Sequence, residues 1–520
     1  MHAMHGPVPL LYDYLTYSAS RLADKVALVC IKQRVTYRQL EEHSNALAST
    51  LLARGVRRGD RVLIFAENTV ETAVAFWAVL KANAVVSIVN PLTKAEKLRY
   101  LINDCRPSAL ITDAHLHDVW LKPSQSKHLK TVIVSGRLDD REWSRIPSII
   151  LWSDALAEGD STRTPVRRNI DIDLAAIIYT SGSTGDPKGV MLTHRNMLTA
   201  AASICSYLEM QEDEVILCAL PLAFDYGLYQ MIMAFRQGAR LVLERSFAYP
   251  AQILKLMVNE GVTGFPGVPT MFSILAEFKT LHAYDFSRIR YVTNTAAALP
   301  VKHIRMLKDA FPSARVYSMY GLTECKRCTY LPPEDVDRKP GSVGIAIPNT
   351  ELWVVDEDGS EVDPGIVGQL VVRGATVMKG YWEKPEATAK RLQAGPLPGE
   401  QVLYTGDYCK LDDEGYLYFV ARMDDMIKSR GEKVSPKEVE AAILDIAGVK
   451  EAAVIGIPDD MLGQAVKAFV VLEQAVSMSE KEIQRFCLAK LENFMVPKVV
   501  TFVPELPKTD SGKIKKTGLA

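Results

Sequence analysis

The chain has 520 residues, 48% of them hydrophobic and 24% charged, which is ordinary for a soluble globular protein but too long for one compact core. Its 61 basic and 62 acidic residues give a formal net charge of -1, so neither nucleic acid nor a membrane is expected as a partner. The scattered cysteines, the absence of a secretory signal and the absence of a long uncharged apolar run predict a cytoplasmic protein.

Helical and strand patterns alternate along the chain before Thr350. The first predicted helices are Tyr37–Arg54 and Val70–Ala82, and the strands beside them are Arg61–Ala66 and Ala84–Val89. Further strands are predicted at 109–112, 131–134, 241–243 and 290–294. Strands that alternate with helices indicate parallel sheets covered by helices on both faces.

After Thr350 the pattern becomes richer in strands, which predicts a small β subdomain. A polar connector, Asp424-Asp425, follows Arg422 and precedes a compact α+β unit. The predicted fold class is therefore α/β. It has a large N-terminal domain, residues 1–422, with parallel-rich sheets and the β subdomain, and a small mobile C-terminal domain, residues 423–520.

A loop rich in glycine and hydroxyl side chains runs from Tyr179 to Gly189, between an apolar strand and a predicted helix. Glycines allow backbone N–H groups to surround an anion, the hydroxyls add donors, and Lys188 adds a mobile positive charge. No Gly-Lys-Ser/Thr opens the helix, so the loop is not a Walker A motif. Its composition predicts phosphate binding.

Several motifs in a fixed order resemble the adenylate-forming superfamily of acyl-CoA synthetases, peptide-synthetase adenylation domains and luciferases. The matching segments are Val35 to Leu40, Tyr179 to Gly189, Tyr320 to Glu324, Gly368 to Leu370 with Gly380 to Trp382, Tyr404 to Asp407, Arg422 to Asp424, and Pro507 to Lys513. The resemblance covers nearly the whole chain and implies ATP and Mg²⁺ as cofactors.

The resemblance also implies roles for individual residues. The implied ATP-binding set is Thr180, Ser181, Gly182, Ser183, Thr184, Gly185, Lys188, Tyr320, Gly321, Thr323, Asp407, Arg422 and Lys513. The implied catalytic residues are Lys513, Thr184, Lys188 and Glu324, with Glu324 as the Mg²⁺ ligand. The two lysines and the Mg²⁺ supply positive charge, which suits the chemistry because attack of a carboxylate on the α-phosphate brings two anions together.

The superfamily carries out its second half-reaction after the small domain rotates. The resemblance implies that Asp424 is the hinge and that Lys428 and Gly431 serve the thioester step. Two positions depart from the family pattern, since Ala421 and Asn83 stand where glycine is usual.

Asp225 bears on the choice of substrate. It lies where amino-acid-activating members carry an aspartate that pairs with the substrate ammonium, although capping of the helix that begins near Tyr226 would also explain it. Tyr226 and Tyr229 are expected to line the acyl pocket. The segment Ser318–Arg327 is similar both to stand-alone L-proline-activating enzymes and to a group of AMP-forming acyl-CoA ligases.

Two predictions of function remain open from the sequence. The first is adenylation of an amino acid, in particular L-proline, followed by transfer to the phosphopantetheine thiol of a separate carrier protein in nonribosomal peptide biosynthesis. The alternative is an AMP-forming ligase that joins a small or medium carboxylic acid to CoA. Retention of Asp225 favours the first, whereas a requirement for free CoA would favour the second.

Overall fold

The computed structural model describes residues 9–137, 149–180, 187–278, 280–295, 301–429, 432–459, 461–474, 476–508, 514–516 and 519. The α-helices, in chain order, are α1 (Asp13–Arg21), α2 (Tyr37–Ala53), α3 (Val70–Lys81), α4 (Ala95–Cys105), α5 (His117–Trp120), α6 (Trp152–Glu158), α7 (His194–Tyr207), α8 (Asp225–Gln237), α9 (Pro250–Glu260), α10 (Pro269–Ala276), α11 (Val301–Ala310), α12 (Pro385–Arg391), α13 (Pro436–Leu444) and α14 (Glu480–Lys490).

The β-strands, in chain order, are β1 (Val26–Cys30), β2 (Gln33–Thr36), β3 (Arg61–Phe65), β4 (Val85–Val89), β5 (Ala109–Asp113), β6 (Thr131–Ser135), β7 (Ile149–Leu151), β8 (Leu174–Thr180), β9 (Lys188–Thr193), β10 (Val215–Cys218), β11 (Arg240–Leu243), β12 (Gly264–Gly267), β13 (Tyr291–Asn294), β14 (Arg315–Tyr320), β15 (Thr329–Leu331), β16 (Ile345–Ala346), β17 (Thr350–Val355), β18 (Gly368–Gly374), β19 (Gly380–Tyr381), β20 (Leu392–Ala394), β21 (Gln401–Leu411), β22 (Leu417–Arg422), β23 (Ile427–Ser429), β24 (Glu432–Val434), β25 (Val449–Asp459), β26 (Gly463–Leu472) and β27 (Val499–Phe502).

Two large sheets form most of the molecule. The first has the order β16-β15-β14-β13-β12-β10-β11-β1-β2, and the second has the order β19-β9-β8-β4-β3-β5-β6-β7. Strands β10 to β14 of the first sheet, and β3 to β8 of the second, pair in parallel where they are neighbours. One apolar core joins the two sheets and includes Ile64 on β3, Trp77 on α3 and Leu241 on β11. The predicted α/β class is confirmed.

Local sequence explains where the helices of this core begin. Thr36 caps α2: its hydroxyl accepts from the Gln39 backbone, and the Gln39 side chain accepts from the Thr36 backbone. Helix α3 is buried on nearly every side, as its almost uninterrupted apolar sequence predicts. The predicted β subdomain is a separate sheet of the order β17-β18-β21-β20, with β22 paired to β21.

Asn83, which replaces a usual glycine, has φ of 60° in the turn between α3 and β4. Asparagine tolerates this left-handed conformation better than most residues. Its side chain is also used, since Oδ1 accepts from the Arg168 and Asn169 backbone N–H groups at 2.7 and 3.2 Å. The second departure, Ala421, lies buried in extended backbone of β22, where no glycine is needed.

Replacing Asn83 by alanine is expected to lower the free energy of unfolding by about 3 kcal/mol. About 1–2 kcal/mol of this loss comes from forcing alanine into the left-handed conformation. The rest comes from the Arg168 and Asn169 backbone N–H groups, which lose their acceptor. The matched variant Asn83→Gly keeps the backbone conformation and should lose only about 1–2 kcal/mol. Urea unfolding of both variants measures the difference, and equal losses would contradict the strain at this turn.

The C-terminal part of the chain has its own sheet and its own apolar core. The sheet order is β24-β23-β26-β25, with β27 parallel to β26, and helices α13 and α14 contribute Val439 and Ile483 to the core. The Ser435 hydroxyl donates to the Val420 carbonyl at 2.6 Å, and Lys450 pairs with Glu277 at 2.5 Å. The boundary after residue 422 remains a prediction. No helix in the described ranges is both long and apolar enough to cross a membrane.

Candidate active site

Tyr320, Asp407 and Arg422 come together from three separate motifs. Asp407 and Arg422 are direct partners on the antiparallel strands β21 and β22, with 3.8 Å between Arg422 Nε and Asp407 Oδ1. The Tyr320 hydroxyl, at the end of β14, donates to the other Asp407 oxygen. Burial raises the pKa of Asp407, while the Arg422 charge lowers it. The arrangement holds a carboxylate and a half-exposed guanidinium beside an aromatic ring.

The segment that carries Asp407 is held by its neighbours. The Thr405 hydroxyl donates to the Leu370 carbonyl at 2.8 Å and accepts from the Asp407 backbone N–H at 3.1 Å. Gly406 has φ of 71°, and a Cβ there would lie 1.9 Å from Arg391 Nη1. The positive φ favours glycine at this position, while the Arg391 side chain would have to move to make room for a Cβ.

Tyr381 connects Glu324 with Lys188. Its hydroxyl donates to Glu324 Oε1 at 2.7 Å, and Lys188 Nζ lies 5.6 Å from the centre of its ring. The Glu324 carbonyl also accepts from the Met378 backbone at 2.7 Å. The signature around Gly380 and Tyr381 thus brings a carboxylate and a cation to one place.

The loop rich in glycine and hydroxyl groups connects two antiparallel strands. Thr180 on β8 is the register partner of Lys188 on β9, and the Thr180 hydroxyl donates to the Lys188 carbonyl at 3.4 Å. Tyr179 next to it donates its hydroxyl to Asp104 at 2.5 Å. The two strands hold both ends of the loop.

Several predicted site residues lie outside the described residues. They are Ser181, Gly182, Ser183, Thr184, Gly185, Gly431 and Lys513. The side chains of Asp424 and Lys428 are also not described. Their predicted roles therefore remain predictions. Gly321 and Thr323, by contrast, lie half-buried in the loop after β14.

Asp225 has a partner that the sequence did not reveal. Lys326 Nζ lies 3.4 Å from Asp225 Oδ2, and both side chains are largely buried. Lys326 also lies over the Tyr229 ring, 4.2 Å from its centre. Burial lowers the pKa of Lys326 to about 7, against the opposing effect of Asp225. The alternative of a capping role for Asp225 is wrong, because Phe224 occupies the N-cap of α8 and no side chain caps it.

Tyr226 packs beside a second buried cation. Its hydroxyl donates to the Thr293 carbonyl at 2.9 Å, and the Arg327 guanidinium lies 5.3 Å from its ring centre. Lys326 and Arg327 were predicted only as parts of a motif, not as site residues. Their position two and three residues after Glu324 was a usable signal, since adjacent charges are unusual in a segment that must be buried.

The residues present suit a magnesium ion bound together with a nucleotide. Mg²⁺ is often held by one or two carboxylates with substrate phosphates and water, and Glu324 is a half-buried carboxylate next to Lys188. Within the described ranges, no three His, Cys, Asp or Glu side chains cluster as a metal site. A protein-only cage is therefore not present in that part of the chain.

Comparison with known proteins identifies the family. The AMP-binding enzyme model matches residues 15–382, and the AMP-binding enzyme C-terminal domain model matches residues 438–513. A long-chain-fatty-acid–CoA ligase of Escherichia coli O157:H7 is 33% identical, and the match covers 98% of this chain and 94% of that protein. Tyrocidine synthase 3 of Brevibacillus parabrevis is 29% identical, and the match covers 98% of this chain but 8% of that protein.

A solved structure agrees with the sequence comparison. The anthranilate CoA ligase AuaEII in complex with anthranoyl-AMP matches this chain with a TM-score of 0.90 and 27% identity. The match covers 100% of this chain and 98% of that chain. The similarity to stand-alone L-proline-activating enzymes is not confirmed by these matches. The chain belongs to the AMP-binding enzyme family, and thus to the adenylate-forming superfamily of ATP-dependent acid–thiol ligases.

Proposed function

We propose that the chain is an AMP-forming acyl-CoA ligase, which activates a carboxylic acid as an acyl-adenylate and transfers the acyl group to CoA. The adenylation of L-proline for a carrier protein, which Asp225 favoured, is the less supported of the two predictions. The observation that carries this choice is the ion pair between Asp225 and Lys326.

A buried carboxylate needs a positive partner. In an amino-acid-activating site the substrate ammonium would supply that partner. Here Lys326 Nζ already lies 3.4 Å from Asp225, and both side chains are largely buried. An arriving ammonium would have to displace Lys326 or share one carboxylate with it, and two cations at one carboxylate repel each other. The pair thus favours a substrate that does not bring an amine to Asp225.

The relatives support the same choice. Those with high coverage of both chains include long-chain-fatty-acid–CoA ligases of Escherichia coli O157:H7 and Bacillus subtilis (strain 168), and their names specify CoA as the thiol. The structural neighbour AuaEII is also a CoA ligase. A separate carrier protein has no such support.

The described residues have roles within this proposal. Asp407 and Arg422 would bind the two ribose hydroxyls of ATP, since a carboxylate can accept from both. Glu324 would hold Mg²⁺, which neutralises charge on the phosphates, while Lys188 would contact the phosphate chain. Tyr320 would lie against the adenine. Lys513 would join the acid and the α-phosphate during adenylation.

The thioester step would use the second orientation of the C-terminal domain. Asp424 is the proposed hinge, and Lys428 and Gly431 would then reach the active site. Rotation requires few contacts between the two parts. The described polar links include a hydrogen bond from Ser435 to Val420 and an ion pair from Lys450 to Glu277, and α13 lies against β22.

Product analysis tests the proposal. The enzyme, ATP, Mg²⁺ and an acid are incubated with and without CoA, and products are identified by mass spectrometry. We expect an acyl-CoA thioester only when CoA is present, with AMP released in equal amount. Acylation of a phosphopantetheinylated carrier protein, with no product from free CoA, would contradict it.

Replacing Asp407 by asparagine is expected to raise the KM for ATP about 10- to 100-fold, because the ribose loses a charged acceptor. The amide still fits between Tyr320 and Arg422, so folding should be retained. Steady-state kinetics of ATP–pyrophosphate exchange measure the effect. The surface variant Asp358→Asn is a matched control, because Asp358 lies in an exposed turn. An unchanged KM would remove Asp407 from the nucleotide site.

A further inference from the structure

Two adjacent cations, Lys326 and Arg327, lie buried just beyond Glu324, separated from it by one residue, and we call them the cation pair. Lys326 is 3% exposed and Arg327 is 2% exposed. Asp225 is the single carboxylate that forms an ion pair with either of them among the described residues. When Lys326 is protonated, the cation pair and Asp225 together carry one positive charge in excess.

Within the described ranges, Arg327 has no anionic partner. Its Nη1 donates to the Thr295 hydroxyl, and its guanidinium lies over the Tyr226 ring. Its Nε is buried and makes no hydrogen bond within the described part of the chain. A guanidinium has five N–H donors, and leaving a buried charge without an anion is costly.

The neighbouring sequence does not provide an anion for Arg327. Residues 296–300, which follow its partner Thr295, read Ala-Ala-Ala-Leu-Pro and contain no carboxylate. The ring of Tyr226 attracts the cation but does not neutralise its charge. The charge of Arg327 is therefore not neutralised by the described residues or by residues 296–300.

Arg327 lies at the edge of the sheet where ligands bind. Thr295 follows β13, the cation pair follows β14, and Asp225 follows β10, so all three come from the carboxyl ends of parallel strands in one sheet. Ligands of such sheets bind outside these ends. The backbone of Gly321 packs tightly against the cation pair, since a Cβ on Gly321 would lie 2.4 Å from the Lys326 carbonyl oxygen. This contact keeps the cation pair close to the segment Tyr320 to Glu324.

We propose that Arg327 binds a second carboxylate on the substrate, so that the acid activated by this chain is a dicarboxylic acid. The inference rests on the proposed function, since it concerns the acid that the ligase activates. One carboxylate would react with ATP, and the other would form a bidentate pair with the guanidinium, a geometry that arginine favours. Asp225 holds Lys326, and this leaves Arg327 as the cation that selects the substrate.

Matched pairs of acids test the inference. Straight-chain monoacids from propanoate to dodecanoate are compared with the diacids of equal length, using kcat/KM for acyl-CoA formation. In the wild-type protein we expect the best diacid to exceed its monoacid about 10- to 100-fold. Arg327→Met should abolish or reverse this preference, and Arg327→Lys should retain part of it, because lysine keeps the charge without the planar fork.

Arg315→Met is the matched control. Arg315 begins β14 at the opposite end of the strand, is exposed, and pairs with Glu209 at 2.6 Å. This variant should keep the wild-type preference. If the wild-type protein prefers the monoacid in every pair, the inference is overturned while the proposed function stands. If no acid of either kind yields a thioester, both are overturned. The wild-type comparison decides the matter even if Arg327→Met fails to fold.

Discussion

The variant Glu324→Gln is expected to lower kcat for adenylation about 100- to 1,000-fold, because it removes the negative charge proposed to hold Mg²⁺ against the phosphates. Glutamine has the same shape and can still accept from the Tyr381 hydroxyl, which lies 2.7 Å from Glu324 Oε1. The loss should therefore appear in catalysis rather than in folding. Substrate-dependent ATP–pyrophosphate exchange at saturating ATP, followed over a series of Mg²⁺ concentrations, measures it.

Tyr381→Phe separates the charge of Glu324 from its positioning. This variant keeps the carboxylate and removes one hydrogen bond, so we expect a loss of about fivefold. The dependence on Mg²⁺ should shift in Glu324→Gln and remain near wild type in Tyr381→Phe. Equal losses in the two variants would mean that Glu324 serves only to position the loop.

The variant Asp225→Asn is expected to lower the free energy of unfolding by about 3 kcal/mol, because it leaves Lys326 buried without an anion. The same change should reduce the rate of ATP–pyrophosphate exchange by a similar factor for every acid, because Asp225 pairs with Lys326 rather than with a substrate amine. Urea denaturation and exchange assays on one preparation give both results. A selective loss for an amino acid would restore the amine-recognition role of Asp225.

The double variant Asp225→Asn with Lys326→Met is the control for the ion pair. Methionine is close in size to the lysine stem and brings no charge, so the double variant should recover about 2 kcal/mol of the loss. The single variant Lys326→Met completes the comparison. If the loss of unfolding free energy in the double variant equals the sum of the losses in Asp225→Asn and Lys326→Met, the two side chains are not coupled. The Asp225 carboxylate would then have another partner.

Most of the fold could be predicted because its signals are local. The capping residues Thr36 and Gln39 mark the start of α2, and the apolar run of α3 predicts a buried helix. The antiparallel pairing of β21 with β22 follows from the short connection between them, whereas a register shift between Tyr408 and Cys409 places Asp407 opposite Arg422. Such features depend on neighbours in the chain, which a sequence pattern contains.

The partner of Asp225 could not be predicted in the same way. Lys326 is separated from it by 101 residues, and the two meet because β10 and β14 end at the same edge of one sheet. An aspartate at the start of a helix has the same local sequence whether it caps the helix, binds an amine or pairs with a distant lysine. The tertiary contact is therefore the observation that supports the proposed choice between the two predicted functions.

Substrate-dependent ATP–pyrophosphate exchange over a panel of amino acids and amine-free acids tests the central claim most directly. The panel contains the common amino acids, fatty acids, diacids and aryl acids, with thioester formation measured after addition of CoA. We expect exchange with amine-free acids, conversion of the same acids to CoA thioesters, and no signal above background with amino acids. A strong signal with L-proline or another amino acid alone would contradict it.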